Sequence, residues 1–155
     1  MSFYGTPFIA EPCVSPDAAQ SLAERSAAAM YANDRASQAL GMRLVEVRPG
    51  YAKLSMLVRD DMLNGYSSCH GGLIFSLADS AFAFSCNSHG GVVVAAAASI
   101  DFLAPAQAGD ELTAEGVERW RSKRNGVYEV TVVNQRGETI ALFRGRSHQV
   151  REHVA

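Results

Sequence analysis

A chain of 155 residues, 48% hydrophobic and 19% charged, has the composition of a soluble globular domain. By size scaling it hides about 70% of its unfolded surface, so it needs neither disulfides nor a structural metal. Fourteen Lys and Arg against sixteen Asp and Glu leave a formal charge of −2, which excludes the global positive field of a nucleic-acid binder. Cys13, Cys69 and Cys86 match no zinc spacing and read as reduced thiols. The N-terminal text MSFYGTPFIAEPCVSPD lacks the basic and apolar regions of a signal peptide. The longest uncharged stretch, Ser80 to Ile100, is broken by serine, asparagine and glycine, against a membrane span. The expectation is a single cytoplasmic domain over 1–155, with a helical extension over 1–40 and a core over 41–151.

After a loose first dozen residues, Ser15-Pro16-Asp17 supplies an N-cap, a proline at the first helical position and an early acid, ahead of the Ala-rich AAQSLAERSAAAMYAND. A short second helix, Arg35 to Leu40, ends at Gly41. MRLVEV and YAKLSMLV then alternate around the turn RPG as a β-hairpin, with Leu44, Val45 and Val47 facing Ala52, Leu54, Met56 and Val58. Arg59 to Cys69 is polar and turn-rich. Leu73 to Ser88 is a helix apolar almost all round, closing at Gly90-Gly91, and must be buried on most sides. Four strand-like segments follow, VVVAAAASIDFLAP, ELTAEGVERWRSK, GVYEVTVVN and TIALFRGRSHQV, broken at Gln107–Asp110, Arg124–Gly126 and Gln135–Glu138. The sum is an α+β fold: an antiparallel sheet of five or six strands wrapped around one long central helix. The helix Pro16 to Asn33 is expected to cover part of the sheet's other face, and self-association the rest.

The chemistry concentrates between Asn64 and Asp79. Gly71 and Gly72 stand at the mouth of the buried helix, where unpartnered backbone N–H groups and the helix dipole suit an oxyanion or phosphate; a glycine pair also serves close packing at a sharp turn. Asp79 lies about two turns inside the helix beside Phe75, Phe82 and Cys86. Desolvation there is costly and raises a carboxyl pKa, a feature usually kept for chemistry. The plain alternative is that Ser76, Asp79, Ser80 and Asn87 form one narrow solvated stripe. His70 can donate to a substrate or fix the loop. Asn64 with Gly65 is a turn dipeptide, and its amide can also orient a water.

Other chemistries fare worse. Cys69 and His70 lie at one end of a helix about 24 Å long and Cys86 and His89 at the other, against a metal site. There is no G-x-S-x-G elbow and no phosphate-binding glycine loop. Arg119, Arg121, Lys123 and Arg124 form the single local basic cluster. They either receive the phosphates of a nucleotide-bearing ligand or form a solvated hairpin tip.

Together the strings LNGYSSCHGGLIFSLADSAFAFSCNSHG, SIDFLAPAQAGDELTA and NGVYEVTVVNQRGETIALFRGRSH resemble the hotdog-fold thioesterases, and specifically the phenylacetate-pathway (PaaI-type) acyl-CoA thioesterases, over roughly residues 42–150. The resemblance implies a hotdog core and hydrolysis of phenylacetyl- or hydroxyphenylacetyl-CoA thioesters, without metal or other cofactor, CoA being part of the substrate. It implies that Asp79 is base or nucleophile, that the Gly71 amide polarises the thioester carbonyl, and that His70 and Asn64 position thioester and water. Gly72, Ser76 and the four basic residues become candidate substrate contacts. It further implies a homodimer with each site across the interface, two dimers commonly making a tetramer. Some relatives carry a Ser or Thr on the strand after the central helix where this chain has Ala95-Ala96-Ala97-Ala98, leaving the water to Asn64 or Ser99. The competing classes are a hotdog hydratase or dehydratase, and an acyl-CoA binder without catalysis.

Overall fold

The computed structural model describes residues 15–151; the first dozen residues and Cys13 lie outside them. Helix α1 spans Pro16–Asn33, and its Ser15 cap accepts the Ala18 N–H at 3.3 Å. Asp34 caps α2, Arg35–Ala39, accepting the Ser37 N–H at 3.0 Å and its hydroxyl at 2.6 Å. Gly41 follows at φ +69, in the left-handed region that favours glycine.

Strands β1, Arg43–Arg48, and β2, Tyr51–Leu57, form the expected antiparallel hairpin. One detail differs. Leu44 pairs with Leu54 and Glu46 with Lys53, so Val45 is the extra residue of a bulge and turns outward at 56% exposure rather than facing β2. The segment expected to be merely turn-rich is ordered by a 3₁₀ turn, Asp60–Met62, whose Met62 is buried, and by a bridge between Leu63 and Cys69.

Helix α3 spans Gly71–Asn87, starting two residues before the expected position. Then come β3, Val92–Phe102, β4, Glu111–Arg121, β5, Asn125–Val133, and β6, Thr139–Arg151. The six strands make one antiparallel sheet in the order β1-β2-β4-β5-β6-β3, and α3 touches all of them. This is the hotdog arrangement.

The core is the seam between α3 and the sheet. Leu77, Ala78 and Ala81 are fully buried, and the Phe82 ring lies 5.5 Å from that of Tyr128 and 5.8 Å from that of Phe143. Burying one such ring stabilises the fold by roughly 1.5–3 kcal/mol. The helix backbone comes so near β4 that a Cβ on Gly116 would stand 2.8 Å from the Ala81 carbonyl oxygen. At its C-terminal end the Asn87 amide donates to the Val93 carbonyl and accepts the Val93 N–H, both at 2.9 Å.

Helix α1 does not cover the outer face of the sheet. It packs on β1 and beside α3, with Tyr31 tilted against Phe84 at 6.3 Å and Leu22 over Gly90. Its buried residues, Ala23 and Ala27, are small enough to let two helices approach closely. Instead, the outer face carries ion pairs, among them Lys53–Glu115 at 2.8 Å and Arg119–Glu129 at 2.8 Å.

Candidate active site

The loop before α3 is built around Asn64. Its Oδ1 accepts the Tyr66 N–H at 2.9 Å, and the Ser68 N–H and hydroxyl at 3.3 Å each. With the oxygen committed to the loop, the Asn64 amide offers the site a donor, its NH₂. His70 is the N-cap of α3: its Nδ1 accepts the Gly72 N–H at 3.1 Å. A neutral ring held that way carries its proton on Nε2, and the side chain presents a donor.

The Leu73 and Ile74 N–H groups reach the His70 carbonyl at 2.9 and 3.4 Å. Gly72 is taken by the His70 ring, so Gly71 alone in this first turn donates to no acceptor among the described residues. Gly71 lines a cavity of about 340 Å³ with Asn64, Ser68 and Ile74. An unpaired N–H at the positive end of a 17-residue helix is a ready donor to developing negative charge.

Asp79 is half-buried, with no hydrogen-bond or ion-pair partner among the described residues, and burial pushes its carboxyl above the usual range. The proposed polar stripe does not survive as a solvated band. The Ser80 hydroxyl is 3.0 Å from that of Ser37 on α2, Asn87 is tied to Val93, and the Ser76 hydroxyl donates to the Gly72 carbonyl at 2.8 Å. Asp79 is left as the uncommitted group of the four. Its helical face also holds Phe75, whose ring meets Phe143 of β6 edge-on at 5.4 Å. That face therefore looks toward the β6–β3 end of the sheet. Asp79 lies eight positions beyond Gly71, about 12 Å along the axis, and does not line the Gly71 cavity. One chain brings Asn64, His70 and Gly71 together; it does not bring Asp79 to them.

The basic cluster is divided. Arg119 is paired with Glu129 on the outer face, and Arg121 stands 3.6 Å from Glu118. Arg121 and Arg124 border a cavity of about 100 Å³ with His89 and Asn125, at the opposite end of α3 from Gly71. Lys123 lies with Arg124 against Gln149 and Val150. Cys86, beside that cavity, has its thiol pushed up to about 12 by burial, and burial raises Cys69 too. Both remain neutral thiols near pH 7. Among the described residues no three His, Cys, Asp or Glu side chains are placed to hold a metal ion.

Two features escape sequence reasoning. Glu118 is a hub, accepting from the Tyr128 hydroxyl at 2.7 Å and bonded to His89 at 2.8 Å. Phe102 and Leu103, which read as the end of a strand, are 52% and 57% exposed beside Gly71. The one available signal is that two adjacent large apolar residues break the period of two.

Comparison with known proteins joins this geometry to a family. The Thioesterase superfamily profile matches residues 66–141, from Tyr66, two residues after Asn64, through α3 into β6. The acyl-coenzyme A thioesterase PaaI of Escherichia coli K12 is 51% identical over 126 residues, 81% of this chain and 90% of that protein. The solved structure of E. coli PaaI, from the phenylacetic acid degradation operon, superposes with a TM-score of 0.86 at 48% identity, covering 88% of this chain and 99% of that one. The smu.793 protein of Streptococcus mutans UA159, solved with acetyl CoA bound, superposes with a TM-score of 0.71 at 27% identity over 73% of this chain and 91% of its own. No helix among the described residues is long and apolar enough to cross a membrane. Identity at this level, over most of both chains, makes the chain a member of the thioesterase superfamily.

Proposed function

We propose that the protein hydrolyses acyl-CoA thioesters of the phenylacetyl or hydroxyphenylacetyl type to the free acid and CoA. The observation that carries this is the uncommitted Gly71 N–H at the start of α3, opening on a cavity beside Asn64. The thioester carbonyl accepts from Gly71, with the His70 Nε2–H as a second donor. Such donors are worth about 2.7–4 kcal/mol each where they have been removed from other enzymes. Asp79 either draws the proton from a water as that water attacks the carbonyl carbon, or attacks the carbon itself to form a mixed anhydride that a water then hydrolyses, releasing the free acid and restoring the carboxylate. The CoA thiolate leaves as the tetrahedral adduct collapses, needing no general acid because a thiol is acidic enough to depart as its anion. The Asn64 NH₂ donates to the water or carboxylate oxygen. Gly72 holds the His70 ring in place, and Ser76 braces the Gly72 carbonyl.

Because Asp79 is about 12 Å from Gly71 along one helix, the active unit is a dimer in which Asp79 of one protomer meets Gly71 of its partner. Two features support this. Among the described residues β3 is bonded to β6 alone, leaving a free sheet edge with small exposed side chains at Ala95–Ala98. The Asp79 face of α3 also looks toward that edge. Two dimers make the proposed tetramer, and the reduced thiols Cys69 and Cys86 suit a cytoplasmic location. Arg121, Lys123 and Arg124 are the proposed contacts for the CoA phosphates, Arg119 being paired with Glu129 on the outer face, away from the cavity that Arg121 and Arg124 border. The fitting of CoA-type ligands is supported by the acetyl-CoA complex of the S. mutans protein. No metal or other cofactor enters the step.

The test is thiol release from phenylacetyl-CoA, hydroxyphenylacetyl-CoA and straight-chain acyl-CoAs, comparing wild type with Asp79→Asn. Hydrolysis that favours the aryl esters and falls at least about a hundredfold in the variant is expected for loss of a base or nucleophile. No release from any ester would end the hydrolase reading, and full activity in Asp79→Asn would remove that residue from the mechanism.

A further inference from the structure

The cavity beside Gly71 has two chemically different walls. Asn64, Ser68 and Gly71 make one side polar; Ile74, Phe102, Leu103, Ala104 and Pro105 make the other apolar. At about 340 Å³ it falls within the roughly 300–1,000 Å³ of small-molecule sites. Phe102 closes against the Gly71 backbone on its side-chain side, since a Cβ on Gly71 would stand 3.1 Å from Phe102 Cζ. The end of β3 is pinned rather than loose, the Leu103 N–H donating to the Ile140 carbonyl at 2.8 Å and the Ala104 N–H to the same oxygen at 3.3 Å. Two large apolar side chains are thus held half in solvent by ordered backbone, next to an unpaired N–H.

We infer that Phe102 and Leu103, with Ile74 behind them, are the seat of the acyl group and set a preference for a compact aromatic ring; this rests on the thioesterase mechanism above. A phenylacetyl group has a single methylene between ring and carbonyl. A ring lying against Phe102 therefore leaves its carbonyl within reach of the Gly71 N–H, and offset or edge-on contact with Phe102 adds to simple burial. A long straight chain has no such fit. The pantetheine arm of CoA is rich in amides, and a wall of Phe, Leu, Ile, Ala and Pro side chains offers those amides nothing.

The experiment compares kcat/KM for phenylacetyl-CoA and acetyl-CoA in wild type, Phe102→Leu and Phe102→Ala, with the assembly of each checked by size-exclusion chromatography. The expected result is a graded loss of the aryl preference, at least tenfold in Phe102→Ala, with acetyl-CoA changed less than threefold. Phe102→Leu keeps most of the apolar volume and carries the comparison if Phe102→Ala does not fold. Equal losses on both esters, or a changed oligomeric state, would overturn the seat by placing Phe102 against the shared CoA arm or in the subunit interface. An unchanged aryl preference in both variants would overturn it as well. Wild type releasing thiol from neither ester would defeat the hydrolase reading instead, so the two failures are distinct.

Discussion

Gly116→Ala tests whether α3 is seated where the close contacts put it. The added Cβ would stand 2.8 Å from the Ala81 carbonyl oxygen and 2.8 Å from Ser85 Oγ. Neither neighbour can give. The first is helix backbone, and the second is a fully buried hydroxyl bonded to the Ala81 and Phe82 carbonyls at 2.8 and 2.9 Å. Reaching ordinary contact near 3.4 Å lifts the helix from β4 by about 0.6 Å. Overpacking of this kind costs about 1–3 kcal/mol, and a chain of this size loses roughly 2–4 °C in Tm for each kcal/mol. A melting scan is expected to show a fall of about 6 °C for the middle of both ranges. Because α3 carries both Gly71 and Asp79, kcat/KM should fall with it, about tenfold if a 1 Å misplacement costs a hundredfold. Gly65→Ala, with nothing within 4 Å of the new methyl group, is the stability control. A Gly116→Ala protein melting within a degree of wild type would refute the seating.

Asp79→Asn has a stability signature separate from its catalytic one. Burial raises the Asp79 carboxyl above its ordinary value, so its contribution to folding is complete below the unfolded pKa near 3.9 and is lost as pH rises through the folded one. At pH 7 the variant should melt higher than wild type, with the gap closing in acid; wild type melting higher at pH 7 would reveal a partner for the carboxylate. For His70, the cap and the donor can be separated. His70→Ala should lose about 1 kcal/mol with its cap, while His70→Asn keeps a capping oxygen and should melt like wild type, yet both should lose activity. Full activity in His70→Asn would reduce His70 to a helix cap.

The helices were legible because their punctuation is chemical: Ser15-Pro16 opens α1, and Gly41 closes α2 with the one residue suited to φ +69. The sheet was legible from alternation. The early start of α3 was not, because histidine is outside the usual capping set and its ring nitrogen does the work of a serine oxygen. Val45 turned outward because a bulge inserts one residue into an alternation that looks continuous in the text. The position of α1 depended on which neighbour its small residues could approach, which no local pattern states. At the site, Asn64, His70, Gly71 and Asp79 stand out by type and spacing. The commitment of the Asn64 oxygen to its own loop, and the divided surroundings of the four basic residues, arise from contacts across turns and strands.

The amide of Asn87 imitates a neighbouring strand at the point where β3 begins, pairing with both polar groups of Val93. A slip of one residue along β3 would break both bonds at once and send every side chain of the strand to the opposite face. Phe102, nine positions downstream, would leave the side of Gly71. An asparagine at one end of the molecule therefore shares with the β6 ladder the task of holding the aromatic ring at the other in its alignment, and a change at this edge acts on the far end of the strand through that frame of reading.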